Sequence, residues 1–160
     1  MMHLQKKYGY LLLPLLFLLL TSCEEENGSS NVRSLVRFNF ISSTIKEQVS
    51  LFDSLTVTAE ETQDTLIYKA SSINHISLPL PYEEQQVTYM LSYSAQVRDT
   101  VWLTYTNAAH FISMQQGISM YYTIKTVEHT KHLIDSIVTQ NPAINETEKE
   151  NFQMYFTTTE

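Results

Sequence analysis

Apolar and polar residues alternate along most of the chain from Val32 onward, which is the period expected of half-buried β-strands. The clearest segment is 87–93, where the residues on one side are Val87, Tyr89, Leu91 and Tyr93. The same alternation predicts strands at 36–40, 51–59, 65–70, 76–80, 100–106, 118–127, 133–139 and 152–158. No long amphipathic helical pattern appears. We therefore expect an all-β protein, an antiparallel, Ig-like β-sandwich of about 7–9 strands.

Three segments depart from this alternation. Pro79 and Pro81 have no N–H to donate to a neighbouring strand, so 76–80 is expected at a sheet edge or leaving the sheet. Residues 108–116 break the pattern, and Gly117 suits a turn or a bulge. Residues 141–151 are predicted to be a polar connection before the last strand.

The first 22 residues follow a different pattern, a nearly continuous apolar run. Lys6 and Lys7 precede the run 8–20, and small residues follow it. A basic start, a short apolar region and small residues are typical of a secretory signal peptide. The alternative is an uncleaved transmembrane helix, which needs about 20 apolar residues. This run is shorter and contains Pro14, so we predict a signal peptide over 1–22.

The signal peptide ends in Leu20-Thr21-Ser22-Cys23, which matches a bacterial lipobox. In that motif the cysteine thiol is acylated and cleavage leaves the cysteine as the first residue. Because several acyl chains hold a protein stably on a membrane, the predicted partner of Cys23 is membrane lipid. We expect an outer-membrane lipoprotein facing the periplasm or the cell surface, with an acidic tether at 23–33 and the sandwich at 34–160.

The tether begins with Glu24-Glu25-Glu26 and has too few apolar residues to pack. It resembles the acidic segment after the lipidated cysteine that accompanies surface export in Bacteroidota lipoproteins. The alternative is a solvated spacer, since a run of like charges is usually a linker. Both interpretations remain open.

Charge and cysteine content exclude several classes of function. The formal net charge is −7, and loss of Lys6 and Lys7 with the signal makes the mature chain more acidic. We therefore expect no nucleic-acid partner. Cys23 is the single cysteine, so once acylated it forms no disulfide, nucleophile or metal ligand. We predict no cofactor.

Each of the four aspartates is followed by Ser or Thr and an aliphatic residue: Asp53-Ser54-Leu55, Asp64-Thr65-Leu66, Asp99-Thr100-Val101 and Asp135-Ser136-Ile137. One such match is expected by chance about once in ten aspartates, so four of four is unusual. The structural explanation is that Asp favours turns and that Ser/Thr-aliphatic begins a strand. The functional one is O-glycosylation, with acceptors Ser54, Thr65, Thr100 and Ser136. The two explanations are compatible.

The one histidine cluster, His129 and His132 next to Glu128, is not expected to bind a metal. Two histidines need further ligands, and none is evident nearby in the sequence. His75 and His110 are isolated. No nucleophile elbow, phosphate loop or dinucleotide motif occurs, so we predict that the protein is not an enzyme.

Trp102 is a candidate binding residue. By alternation it points away from Val101 and Leu103 and shares a face with threonines. Such a face is suited to a sugar ring or a partner protein. We favour the alternative that the face is buried or covered by a loop, because Trp is mostly buried. Tyr121 has the same two interpretations.

Several short segments resemble an uncharacterised family of Bacteroidota lipoproteins, a domain of unknown function. They are Phe52-Asp53-Ser54-Leu55-Thr56-Val57, Ser77-Leu78-Pro79-Leu80, Phe111-Ile112-Ser113, Ile134-Asp135-Ser136-Ile137-Val138, Asn141-Pro142 and Tyr155-Phe156. The resemblance implies a compartment and a β-sandwich, and no catalytic residue. It also implies a cysteine before the glycine matching Gly117. Gln116 stands there, so any disulfide expected of the family is absent.

Three functions follow from these patterns. The first is a non-catalytic accessory or interaction module of the cell envelope, with an envelope protein or glycan as partner. The second is a glycan- or peptide-binding module that uses the Trp102 face or an exposed strand edge. The third is an envelope hydrolase, which requires His129, His132 and Glu128 to converge in one pocket.

Overall fold

The computed structural model of the protein describes residues 33–50, 54–147 and 149–157. The predicted signal peptide, Cys23, the acidic tether apart from Arg33, and Asp53 lie outside these ranges, as does 158–160. No helix in the described part of the chain is long and apolar enough to cross a membrane.

The described residues form ten β-strands. Their bounds are β1 Leu35–Ser42, β2 Leu55–Ala59, β3 Thr65–Ala70, β4 His75–Pro79, β5 Gln86–Ser92, β6 Arg98–Ser113, β7 Gly117–His129, β8 Ile134–Thr139, β9 Ala143–Ile144 and β10 Phe152–Phe156. A four-stranded sheet has the order β4-β1-β10-β8, and a six-stranded sheet has the order β3-β2-β5-β6-β7-β9. The predicted all-β sandwich is confirmed. The strand not predicted, β9, has two residues within the expected polar connection.

One strand pair contradicts the expectation of antiparallel pairing. β1 and β10 run parallel, with Phe38 opposite Phe152 and Phe40 opposite Met154. A parallel pair needs a long connection rather than a tight turn. The two strands lie at opposite ends of the described chain, so the rest of the domain supplies that connection. Alternation alone carries no information about strand direction, which is why the sequence missed it.

The core lies between the two sheets and is built from the alternate apolar residues of both. The rings of Phe38 and Phe152 stack across the parallel pair, with centroids 4.9 Å apart. The rings of Phe40 and Phe156 meet edge to face at 5.2 Å. All four side chains are buried. Burying each ring contributes about 1.5–3 kcal/mol relative to exposure, so aromatic packing adds to the backbone ladder of the parallel pair.

The proline-flanked strand β4 lies at the edge of the four-stranded sheet, as predicted. Three tyrosines from neighbouring strands of the other sheet hold its end through consecutive carbonyl oxygens: Tyr89 donates to Pro79 at 2.6 Å, Tyr122 to Leu80 at 2.9 Å and Tyr105 to Pro81 at 2.8 Å. Burial raises the pKa of all three phenols. Proline has no N–H to donate, but the carbonyl oxygens of this segment accept the three tyrosine hydrogen bonds. These hydrogen bonds join the two sheets.

The segment 108–116, where the alternation fails, is nevertheless part of a long hairpin of β6 and β7. Ala108 pairs with Tyr121 and Phe111 with Ile118, and the turn ends at Gly117, whose φ is 72°. The positive φ confirms the predicted turn glycine. The register of β5 on β6 ends at the pair Gln86–Thr104. Beyond it Tyr105 is still buried, but no side chain from 108 to 113 is, so this part of the hairpin needs no period-two apolar pattern.

Candidate functional site

Strand β6 joins two contrasting ends of the sandwich. At its start, Asp99 lies against the connection between β7 and β8. At its other end, residues 108–121 form a two-stranded projection, which we call the arm. Both regions are described below, together with the residues that the sequence singled out.

Asp99 is fully buried and accepts four hydrogen bonds from the β7–β8 connection. The Thr130 hydroxyl donates to Oδ1 at 2.6 Å, and the backbone N–H of His132 donates to the same atom at 2.8 Å. Oδ2 accepts from the backbone N–H groups of Leu133 at 2.8 Å and Ile134 at 3.0 Å. The carboxylate therefore acts as a cap for the start of β8.

These donors determine the ionisation of Asp99. Burial alone raises the pKa of its carboxyl group, but the hydrogen bonds from Thr130 and from the backbone of 132–134 outweigh burial, and the pKa is lowered overall. Burial and the neighbouring Asp99 carboxylate raise the pKa of the Tyr93 phenol. Asp99 is thus ionised at neutral pH and already saturated with donors, which suits a structural group rather than a general acid or base.

The histidine cluster does not form a metal centre in the described part of the chain. Glu128 and His129 are the last residues of β7, which extends two residues beyond the predicted strand 118–127. His132 Nδ1 lies 3.2 Å from Asp99, and its side chain is largely exposed. His129 Nδ1 contacts the carbonyl oxygen of Thr130 at 2.8 Å. No group of three or more His, Cys, Asp or Glu able to hold a metal occurs among the described residues.

A second buried polar residue, Asn151, was missed by the sequence. Its Oδ1 accepts from the backbone N–H of Arg37 at 3.0 Å. Its Nδ2 donates to the carbonyl oxygens of Asn141 at 3.0 Å and Ala143 at 3.1 Å. The side chain therefore fastens the 141–151 connection to β1. An isolated Asn in a polar segment gives no sequence signal for this role.

The candidate glycosylation sites differ in exposure. Thr65 and Asp64 are both exposed, at the start of edge strand β3. Ser54 is half-buried, and so is Ser136, whose neighbour Asp135 is exposed. Thr100 is half-buried beside the fully buried Asp99.

Trp102 is 40 % exposed, so the favoured expectation that its face is covered is wrong. Its cross-strand partners are Thr88 and Glu128. The next cross-strand pair on the same face, Thr104 and Thr126, is hydrogen-bonded between hydroxyls at 2.6 Å. The outer surface of the six-stranded sheet therefore presents an aromatic ring among hydroxyl groups.

Tyr121 lies on a different part of that sheet. It is half-buried and stacks on His110, with ring centroids 4.3 Å apart and planes 15° apart. A hydrogen bond between Tyr121 and Glu146 raises the pKa of the phenol and lowers that of the carboxyl group. Tyr121 also lines a cleft of about 230 Å³. Trp102 pairs seven positions further along β7, roughly 23 Å away at 3.3 Å per residue, so the two aromatic residues do not form one site.

The arm exposes large apolar side chains. Phe111 is 64 % exposed, Met114 89 % and Ile118 70 %. Beside it lies a cleft of about 460 Å³, lined by residues of the arm, by Tyr82 and by the first described residues, Arg33 and Ser34. The Ser34 and Ser119 hydroxyls lie 3.5 Å apart. The only sequence signal for the arm is that no Asp, Glu, Lys or Arg occurs from residue 100 to 124.

A family described as a family of unknown function (DUF6452) matches residues 54–156, which is more than half of the chain. No curated protein and no solved structure matches the chain.

Proposed function

The chain belongs to this family of unknown function, and from that premise we propose that it is a lipid-anchored, non-catalytic interaction module of the cell envelope. Cys23 is its acylated anchor in the outer membrane. The observation that carries the proposal is the Leu20-Thr21-Ser22-Cys23 motif, which directly follows a basic start and an apolar run. The same cysteine is the only one in the chain, so the domain does not need it for a disulfide.

The arrangement of ionisable groups supports the non-catalytic part of this proposal. A hydrolase needs a base or a nucleophile with free hydrogen-bonding capacity in a cleft. The buried carboxylate of Asp99 is saturated by donors. Glu128, His129 and His132 lie outside both clefts described above.

Acylation is tested in the native host with the full-length chain and with Cys23→Ala. We expect the wild-type protein to incorporate an alkyne-labelled palmitate and to fractionate with the outer membrane. The Cys23→Ala chain should take up no label and leave that fraction. An unlabelled wild-type protein, or equal labelling of both chains, would contradict the proposal. Protease shaving of intact cells then distinguishes the surface from the periplasm.

A glycan- or peptide-binding module is the second candidate function, and the exposure of Trp102 beside threonine hydroxyls favours it. Trp102 is the single tryptophan, so its fluorescence reports on this face alone. Titration with short oligosaccharides prepared from the envelope should quench or shift its emission in a saturable way. Calorimetry should show roughly tenfold weaker binding for Trp102→Ala, because aromatic anchors dominate such contacts. Val97→Ala, which alters another exposed apolar residue, is the control; no saturable signal would exclude this function for the ligands tried.

O-glycosylation remains a proposal for the four acceptor positions. Thr65 is the strongest candidate because Thr65 and Asp64 are both exposed, whereas the aspartate beside Thr100 is buried. A modifying enzyme needs access to both residues of its motif. Intact-mass measurement of the native protein should show a glycan that Thr65→Ala removes and Thr100→Ala leaves. Unmodified Ser54, Thr65, Thr100 and Ser136 would contradict the proposal.

A further inference from the structure

The arm combines three exposed large apolar side chains with a stretch of chain that carries no charged residue. Elsewhere, exposed Ile45 precedes Lys46 and Glu47, and exposed Val97 precedes Arg98. Within 108–121 there is no Asp, Glu, Lys or Arg, although 17 % of the whole chain is charged. Charged side chains are the residues most costly to bring into lipid. Their absence, together with exposed Phe111, Met114 and Ile118, makes the arm compatible with a lipid interface.

The arm lies at the end of the domain where the described chain begins. Arg33 and Ser34 line the same cleft as Gln116 and Ile118, and Ser34 approaches Ser119. Only nine residues lie between Cys23 and Arg33, so the ten residue-to-residue steps from one to the other span at most about 35 Å when fully extended. From Ala108 to Ser113 the arm is about 17–20 Å long. A lipid anchor at Cys23 therefore keeps the arm within reach of the membrane surface.

The opposite end of the domain has different chemistry. The β5–β6 turn, with exposed Ala95, lies at the start of β6, about 50 Å from the end of that strand at 3.3 Å per residue. It is followed by Arg98 and by the Asp99 network. An acidic domain is repelled by anionic headgroups, so the arm, which carries no Asp, Glu, Lys or Arg, is the part of the domain suited to approach them.

We propose that the arm is a membrane-docking element: the side chains of Phe111, Met114 and Ile118 enter the interfacial region of the bilayer that holds Cys23. This inference rests on the lipid anchor proposed above. The anchor supplies attachment, and the arm fixes which end of the sandwich faces the lipid. A second copy of the chain, or the chain's own segment 23–32, is an alternative occupant that the experiment distinguishes.

The test uses single added cysteines in the full chain, purified from membranes and reconstituted in phosphatidylethanolamine/phosphatidylglycerol vesicles. Met114→Cys places an environment-sensitive NBD probe on the arm, and Ala95→Cys places it at the opposite end. We expect a blue shift and quenching by nitroxide-labelled lipid for the probe at 114 and neither for the probe at 95. Identical, water-like emission at both positions in anchored protein would overturn the inference and leave the anchor intact.

Two further outcomes would show that something other than lipid covers the arm. Shielding at position 114 that nitroxide lipid does not quench would overturn lipid docking. If that shielding rises with protein density, a second copy covers the arm; if it does not, segment 23–32 covers it. The unmodified chain separates failure of the anchor from failure of the arm, because an acylated Cys23 has no free thiol. Labelling at Cys23 would refute the anchor alone.

The contribution of the arm is measured separately from the anchor with Cys23→Ala chains and the same vesicles. Phe111→Ser and Ile118→Ser should each weaken residual vesicle binding about tenfold, as expected for removing one buried large apolar side chain. Ile45→Ser is the matched control, because Ile45 is exposed to a similar degree elsewhere. Equal losses for Ile45→Ser and the arm variants would show that the arm has no special role.

Discussion

The two ends of strand β6 differ in strand pairing, in charge and in the exposure of their apolar side chains. From Val101 to Thr104 the strand is paired on both sides, by β5 and β7, and Asp99, just before this stretch, organises the neighbouring connection. From Ala108 onward it is paired only by β7, carries no charge and exposes its apolar side chains. The first end uses polar groups to stabilise the fold, and the second leaves apolar groups unused by the fold. The second end is therefore the one whose large apolar side chains face solvent.

The largest effect is expected at Asp99. Asp99→Ala leaves the Thr130 hydroxyl and the backbone N–H groups of 132–134 without their acceptor, in a buried position. We expect the free energy of unfolding to fall by about 3–5 kcal/mol, since hydrogen bonds to a charged group are strong and buried unpaired donors are costly. Chemical denaturation measures it. Asp64→Ala, at an exposed position, is the control and should change the free energy of unfolding by less than about 0.5 kcal/mol. Equal losses for the two variants would contradict a structural role for Asp99.

The pH dependence of stability should report the same carboxylate. Because hydrogen bonds lower the pKa of Asp99 in the folded protein, its contribution is fully present above the ordinary value of 3.8. It is lost as the pH falls below 3.8 through the folded pKa. Denaturation midpoints measured from pH 6 to pH 2 should therefore decline less steeply in Asp99→Asn than in wild type. Parallel profiles would show that Asp99 does not titrate in this range.

The tyrosine contacts that join the sheets should have a smaller effect. Tyr89→Phe removes the hydroxyl of a fully buried tyrosine and with it the partly buried hydrogen bond to the Pro79 carbonyl. We expect a loss of about 1–2 kcal/mol in the free energy of unfolding. Tyr82→Phe changes an exposed tyrosine and should leave stability unchanged. A loss for Tyr82→Phe as large as for Tyr89→Phe would argue against the hydroxyl contact.

The smallest stability effects are expected on the arm. Phe111→Ser, Met114→Ser and Ile118→Ser alter exposed side chains, so each should change the free energy of unfolding by less than about 0.5 kcal/mol. Thermal unfolding of the three variants measures it. A loss of several kcal/mol at any of them would mean that the fold itself uses the arm.

Much of the fold follows from alternation because each predicted strand borders the core. Pro79 likewise predicts an edge strand through its missing N–H. Alternation gives no information where a strand borders no core, which explains why 108–113 was not expected to be β-structure. Alternation also does not reveal the relative direction of two paired strands, so the parallel pairing of Phe38 with Phe152 was visible only in the structure.

The candidate sites were less predictable than the fold. Alternation places Trp102 on the right face of its strand, but whether another layer covers that face depends on tertiary packing. The Asp-Ser/Thr-aliphatic pattern does not distinguish the buried Asp99 from the exposed Asp64. The fold separates them, because only Asp99 lies against a connection distant in sequence. The arm has a sequence signature in its lack of charge, but its position beside Arg33 is a tertiary property.

Hydrogen exchange along β6 tests the contrast between its two ends most directly. The full chain is compared in detergent and in vesicles. Amides from Val101 to Thr104 should exchange slowly in both, because strands on either side protect them. Amides from Ala109 to Ser113 should exchange fast in detergent and slow down only in vesicles. Uniform protection along β6 in detergent, or no change in the arm on transfer to vesicles, would contradict the account.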